Sequence, residues 1–313
     1  MNKIINIEDI QSKGRLDELL RVRLPEIISK DISNSKIRRL IVAGAVSVNG
    51  RQVRVPGYDL CPGTKVSVSL DEDKLFYEKE PDDIAFEVTA ESVLFEDDNI
   101  IVVNKPSFFP TEAGMVGSRD NLHAAVIRYL HGKNPSLRNP PYVGIMHRLD
   151  RETSGVILFT KTRAVNAACH DMFEQHTAKK VYKALVCTNR DVQKNFSVEM
   201  YMGRISPKSQ AAKWGKLPES RGGVYSYTDF TLLSKNEKNG TALVECRLKT
   251  GRTHQIRVHL SSLGLPVLGD TLYGAKPYKR IMLHASSLTF PHPVTGEVMT
   301  VEALLPQLFG EIL

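Results

Sequence analysis

The chain has 313 residues, 42% apolar and 25% charged, an ordinary globular composition with enough length for about two domains. No apolar run reaches the roughly 20 residues needed to cross a bilayer. The opening MNKIINIEDIQSK carries charge where a signal peptide needs an unbroken apolar stretch, so a soluble cytoplasmic protein is expected. Cys61, Cys169, Cys187 and Cys246 share no C-x-x-C spacing, which argues against a zinc ribbon and a disulfide framework.

The net charge of +7 is concentrated near the start: Lys13 to Leu70 holds eleven Lys/Arg and five Asp/Glu, a footprint for polyanions. Within it, Leu16, Leu19 and Leu20, then Ile37, Leu40 and Ile41, repeat at helical spacing. Ser33 or Ser35 can cap the second helix and Gly44 closes it, leaving Lys36, Arg38 and Arg39 outward. Val46 and Val48, the turn Asn49-Gly50, then Val53 and Val55 read as a hairpin. Pro62-Gly63 makes another turn before Val66 and Val68. The stretches GRLDELL, SKIRRLIVAGAVSVNG and PGTKVSV resemble an S-four-type RNA-binding domain over residues 13–70. That resemblance implies a basic helix pair docking onto folded RNA, with Lys36, Arg38 and Arg39 as contacts.

Residues 71–83, DEDKLFYEKEPDD, hold seven acids and two lysines and read as a solvated linker. From residue 84 to 313 short strand-like runs predominate: Ile100–Val103, Val156–Phe159, Val181–Val186, Ala242–Leu248 and Ser287–Phe290. A helix after Lys161 has Val165, Ala168, Cys169, Met172 and Phe173 on one stripe. The predicted class is α+β, a mixed and largely antiparallel sheet behind a small N-terminal α/β domain.

Three segments can carry chemistry. HRLDRETSG, His147 to Gly155, crowds ionisable groups into a loop entering the apolar strand VILF. Taken alone, Asp150 there reads first as half of a structural ion pair with Arg148 or Arg151. KKVYKALV puts Tyr182, Ala184 and Val186 on one strand face. KTGRTHQIRVHLSSLGLPVLGD reads as a helix capped by Thr253, with Ile256, Leu260 and Leu263 inward and Gly264 and Pro266 at its end. Arg257 falls one position off that stripe, beside the core. His254 and His259 diverge by about 140° around such a helix, and His170 and His176 lie six apart, so no metal site is expected. The loop Gly203 to Val224, with Arg204, Lys208, Lys213, Lys216, Arg221 and Trp214, reads as a flexible insertion or as an RNA-gripping arm with Trp214 stacked on a base.

Together NKP (Asn104 to Pro106), HRLDRETSG, VYKAL, GRTHQIRVHLSSLG and RIMLHASSLTFPHPVTGE, in that order along the chain, resemble the RluA family of pseudouridine synthases. The resemblance implies isomerisation of uridine to pseudouridine in structured RNA, with 23S ribosomal RNA favoured and transfer RNA as the alternative, by a monomer without a cofactor. It maps the essential carboxylate to Asp150, as a nucleophile or as a base, and to Tyr182 the catalytic tyrosine that lies against the base and is placed to take the C5 proton after rotation, through water or Asp150. Burial beside an apolar strand disfavours charge, and the family's cation maps to Arg257, with Arg252 as runner-up. Arg148 is expected to fill the space left by a flipped uridine, and His147 to position the loop. Arg151 and Thr153 complete the expected RNA-facing set, Thr153 as a turn residue. After NKP the family has Gly and then His-Pro; here Ser107, Phe108, Phe109, Pro110 and Thr111 depart from that pattern, a change expected to touch none of the assigned residues. A non-catalytic RNA-binding factor on the same fold would have no need of the Asp150, Tyr182 and Arg257 set.

Overall fold

The computed structural model describes residues 2–8, 10–71, 83–113, 119–207 and 212–312. The chain separates into two compact units, residues 1–81 with 207–211, and residues 82–206 with 212–313. Most of the expected acidic linker, 72–82, and Lys208 of the basic loop lie outside the described residues.

In the first unit, helices Leu16–Ile28 and Asn34–Ala43 pack on a four-stranded sheet ordered Asn2–Ile7, Val66–Asp71, Val46–Val48, Arg51–Gln52. Leu16, Leu20, Leu24 and Ile28, spaced at i, i+4, i+8 and i+12, bury one face of the first helix. Ser33 caps the second by accepting the Lys36 amide at 3.3 Å, and Gly44 closes it at φ 81°. The Asn49-Gly50 turn has both φ values positive, 49° and 79°, as a two-residue hairpin requires. Two expectations need correction. The strand Asn2–Ile7, ahead of Lys13, pairs along its whole length with Val66–Asp71 and belongs to the unit. The second hairpin arm is only Arg51–Gln52, because Pro56 just beyond has no amide to pair and Val55 is left exposed.

The second unit is built on an eleven-stranded sheet whose main path runs Trp214–Lys216, Asn195–Arg204, Val224–Asn236, Thr241–Leu248, Lys179–Cys187, Leu283–Pro291, Ser154–Thr160, Ile100–Lys105, Val93–Glu96. All its pairings are antiparallel except one, where Ser154 and Gly155 run parallel to His284 and Ala285. The runs IIVV and SGVILFT are apolar on both faces because both faces are covered. Ile101, Val103, Ile157 and Phe159 share a core with helix Leu122–Lys133. Ile100, Val102, Val156 and Leu158 share another with Cys169 and Met172 of helix Asn166–Glu174. This rigid double-sided centre is where the HRLD loop is anchored.

Candidate active site

The loop from His147 to Gly155 is fastened almost residue by residue. His147 Nε2 accepts the Leu158 amide at 3.0 Å, and its ring lies 4.4 Å from that of Phe173. Burial, with help from Lys180, pushes this imidazole down to about 3, so it is a neutral acceptor. Thr111 Oγ1 donates to the Leu149 carbonyl at 2.8 Å, and Ser107 Oγ to that of Glu152 at 2.6 Å. Lys105, fully buried, donates to the carbonyls of Pro106, Phe109 and Arg151 at 2.7–3.0 Å. Arg280 donates to Ser154 Oγ at 2.9 Å, and that hydroxyl donates to His284 Nδ1 at 2.8 Å. Gly155, at φ 117°, admits no side chain: a Cβ there would lie 2.1 Å from the Ala285 carbonyl oxygen. The Thr153 amide closes the turn onto the Asp150 carbonyl at 3.0 Å.

So held, Asp150 projects into a cleft, 29% exposed, with Arg257 Nη1 3.4 Å from its Oδ2. Arg257 is buried in helix Gln255–Ser262 and grips Asp270 with two bonds, Nε to Oδ2 at 2.6 Å and Nη2 to Oδ1 at 3.0 Å. Burial opposes the charge of the guanidinium, but Asp270 and Asp150 outweigh it and hold its pKa above the ordinary value. The Tyr273 ring lies 5.1 Å from the same guanidinium. Helix entry differs from expectation. His254, at φ 56°, and not Thr253, is the N-cap residue, and it makes no side-chain cap. The Gln255 carboxamide takes over locally, accepting from Thr250 Oγ1 and the Arg252 amide and donating to the Tyr227 carbonyl and Thr228 Oγ1, all at 2.8–3.0 Å.

Tyr182 lines the cleft opposite, with Lys180 one repeat away on the same strand face. Burial first, then the Asp150 carboxylate, push the Tyr182 phenol above its ordinary range, so it is a neutral ring and hydroxyl. Among the described residues that hydroxyl has no hydrogen-bond partner. Arg148 and Arg252 also line this cleft.

The expected residues divide accordingly. Asp150, Tyr182, Arg257, Arg148, Arg252 and Thr153 converge on one cleft. Arg252 is exposed and donates to the Tyr225 carbonyl at 3.0 Å, so Arg257 is the cation on Asp150. Arg148 is exposed and paired with Glu112. Arg151 is engaged by Asp83 and Glu152 and lies over the Phe108 ring at 5.2 Å. The departure after NKP therefore does touch the expected set: Phe108 packs on Arg151 and Thr111 holds Leu149. In the first unit Lys36 is half-buried, Arg39 is exposed, and exposed Arg38 pairs with Asp17 at 3.2 Å. Trp214 is no free arm: it starts a strand paired with Arg204, and packs with Met202, Val258 and Tyr273. His170, Asp171 and Glu174 bring donor atoms within 4.8 Å of one another on an exposed helix surface, far less enclosed than a built metal centre.

Sequence reasoning missed Asp270, Lys105, Lys180, His254 and Arg280. Two had a signal: period two extends the inward face of Ile101 and Val103 to Lys105, and that of Tyr182 back to Lys180. Asp270 had none, since nothing local distinguishes it from a turn acid.

Residues 99–262 match the family model for RNA pseudouridylate synthase, and residues 15–66 match that for the S4 domain. An uncharacterized RNA pseudouridine synthase of Mycoplasma pneumoniae is 33% identical over 96% of this chain and 92% of its own. Ribosomal large subunit pseudouridine synthase D of Zymomonas mobilis is 33% identical, over 93% of this chain and 92% of that one. Ribosomal large subunit pseudouridine synthase C of Salmonella typhimurium is 32% identical, over 96% and 92%. Among solved structures, human RNA pseudouridylate synthase domain containing 4 shares the fold, with a TM-score of 0.57 at 23% identity over 70% of this chain and 90% of that one.

Proposed function

The chain belongs to the RNA pseudouridylate synthase family, and from that premise we propose that it isomerises uridine in large-subunit ribosomal RNA with Asp150 as its catalytic carboxylate. The observation that carries the assignment is one cleft lined by Asp150, Tyr182 and Arg257, with Arg257 held from behind by buried Asp270. Arg257 approaches Asp150 through Oδ2 alone, and among the described residues Oδ1 has no hydrogen-bond partner, which leaves it for the nucleotide. The net reaction breaks the bond from uracil N1 to ribose C1′, joins C5 to C1′, removes the proton from C5 and returns one to N1. Tyr182, held neutral by burial, serves as a flat surface for the base, and the C5 proton leaves through Asp150 or water.

A paired uridine must leave its stack, at a cost of a few kcal/mol. Arg148 suits the vacated space because, among the described residues, an exposed ion pair with Glu112 is what holds it. Arg252 and Lys180, at the cleft rim, suit the phosphates on either side. The ribosomal address rests on the relatives named for that activity and on the S4 domain ahead of the catalytic unit. The same reading includes action as a monomer in the cytoplasm, where the proposed ribosomal substrate lies.

RNA tritiated at uracil C5 tests the chemistry. Wild-type protein releases tritium and Asp150→Asn releases none above background; equal release from both overturns the assignment. Pseudouridine mapping in a deletion strain tests the address: sites lost from transfer RNA, with the large-subunit RNA intact, overturn it.

A further inference from the structure

Two nitrogens approach the same oxygen of Asp150. Arg257 Nη1 is 3.4 Å from Oδ2, and His254 Nε2 is 3.8 Å from it. The other face of His254 is engaged: Nδ1 lies 2.9 Å from the Tyr273 hydroxyl, and the two rings meet at 90° with centroids 5.6 Å apart. The Tyr273 oxygen in turn accepts the Trp214 backbone amide at 3.0 Å. An amide can only donate, so the one hydroxyl proton of Tyr273 is available to His254 Nδ1. An imidazole that accepts at Nδ1 carries its proton on Nε2, the nitrogen facing Asp150. Burial, working against the nearby carboxylates, keeps this ring below the ordinary histidine value, and so neutral. His254 also holds φ 56°, which costs a histidine energy unless its surroundings enforce it.

We propose that His254 is a positioning residue for the isomerisation: the line from the Trp214 amide through the Tyr273 hydroxyl presents His254 Nε2–H to Asp150 Oδ2, so that His254 and Arg257 together fix that oxygen and turn Oδ1 toward the nucleotide. The contact tightens by less than an ångström as substrate closes the cleft, since catalytic hydrogen bonds are commonly long before substrate binds. Through Trp214, the base of the Gly203 to Val224 hairpin becomes part of the support of the carboxylate. The inference rests on Asp150 being the catalytic carboxylate.

Tritium release by the full chain on large-subunit RNA separates the cases. His254→Asn keeps a residue tolerant of positive φ and an oxygen for the Tyr273 hydroxyl, but has no donor reaching Asp150. His254→Gln places an amide near the former Nε2. The expected results are a kcat about tenfold lower for His254→Asn with KM unchanged, substantial recovery in His254→Gln, and a loss in the same direction for Tyr273→Phe. Thermal unfolding is followed in parallel, and Tyr273→Phe, which keeps the ring, serves if the His254 variants do not fold. Wild-type kcat in His254→Asn, equal losses in Asn and Gln variants that track lowered stability, or wild-type kcat in Tyr273→Phe overturns the inference. Asp150→Asn in the same assay separates the two readings: its retained activity would discard the catalytic assignment itself, whereas its inactivity beside a wild-type-like His254→Asn discards only the role of His254.

Discussion

In the N-terminal unit Arg38 and Arg39 are exposed, and Arg38 pairs with Asp17. In the catalytic unit Arg257 is a buried cation, 4% exposed and gripped by Asp270, while Lys105, fully buried against three carbonyls, has its pKa pulled by that burial down to about 7. The same residue types thus meet opposite fates. An exposed cation keeps its hydration until RNA displaces counterions, and its contribution is long-range and sensitive to salt. A buried cation has lost its water already, so its partners must be complete, and its contribution is geometric. One unit attracts RNA and the other holds a carboxylate still.

The contrast breaks most readily at Asp270. Asp270→Asn leaves Arg257 buried with half its charge partners, and breaking such a pair costs about 3–5 kcal/mol. Urea unfolding should show that loss in the catalytic unit alone, with kcat reduced and RNA affinity retained; unchanged stability would mean that Arg257 does not depend on the pair.

Acid gives the next effect. All nine histidines lie between His123 and His292, outside residues 1–81. Burial pushes His147 down to about 3, and His259 and His284 down to about 4. Unfolded histidine titrates near 6.5, so between about 6.5 and 4 the unfolded catalytic unit binds more protons than the folded one. The histidine contribution to its stability is full above that window and is lost as pH drops through it, whereas Lys105, pulled down to about 7, adds a separate rise above that pH. Differential scanning calorimetry from pH 7 to 4 should lower the melting of the catalytic unit, and the N-terminal unit receives no histidine contribution. Parallel shifts in both units would contradict this assignment.

The smallest effect is at the basic helix. Arg38→Ala with Arg39→Ala should weaken RNA binding and flatten the slope of log affinity against log salt by about one per lost phosphate contact. Turnover at saturating RNA should stay at the wild-type value. An unchanged slope would remove this helix from the RNA contact.

Local rules made much of this legible. The Ser33 cap, the Gly44 stop and the Asn49-Gly50 turn depend on neighbouring residues, and the inward face of Tyr182 depends on strand period. Helical spacing put Arg257 beside the core, though the helix proved enclosed on nearly all sides. What stayed illegible was long-range. The Asp270 carboxylate earns its place only once Arg257 folds over it, and Arg151 has its charges met by Asp83, 68 residues away. The Thr253 cap failed because the N-cap falls one residue later, on His254 in a left-handed conformation, while the Gln255 side chain ties the preceding turn to Arg252 and Thr250, contacts that composition cannot rank.

The fastening of the HRLD loop also orders events during synthesis. Ser154 is tied to His284 and Glu152 to Arg280, across 130 and 128 residues. Every strand of the N-terminal sheet, by contrast, has been made by residue 71. At roughly 5–20 residues per second, the remaining chain takes roughly 10–50 s to emerge. Throughout that interval the growing chain owns a surface for RNA and a carboxylate whose loop cannot yet set. If the N-terminal unit docks RNA as proposed, a chain ending before Arg280 would keep that docking surface but lack the contacts that set the loop of Asp150.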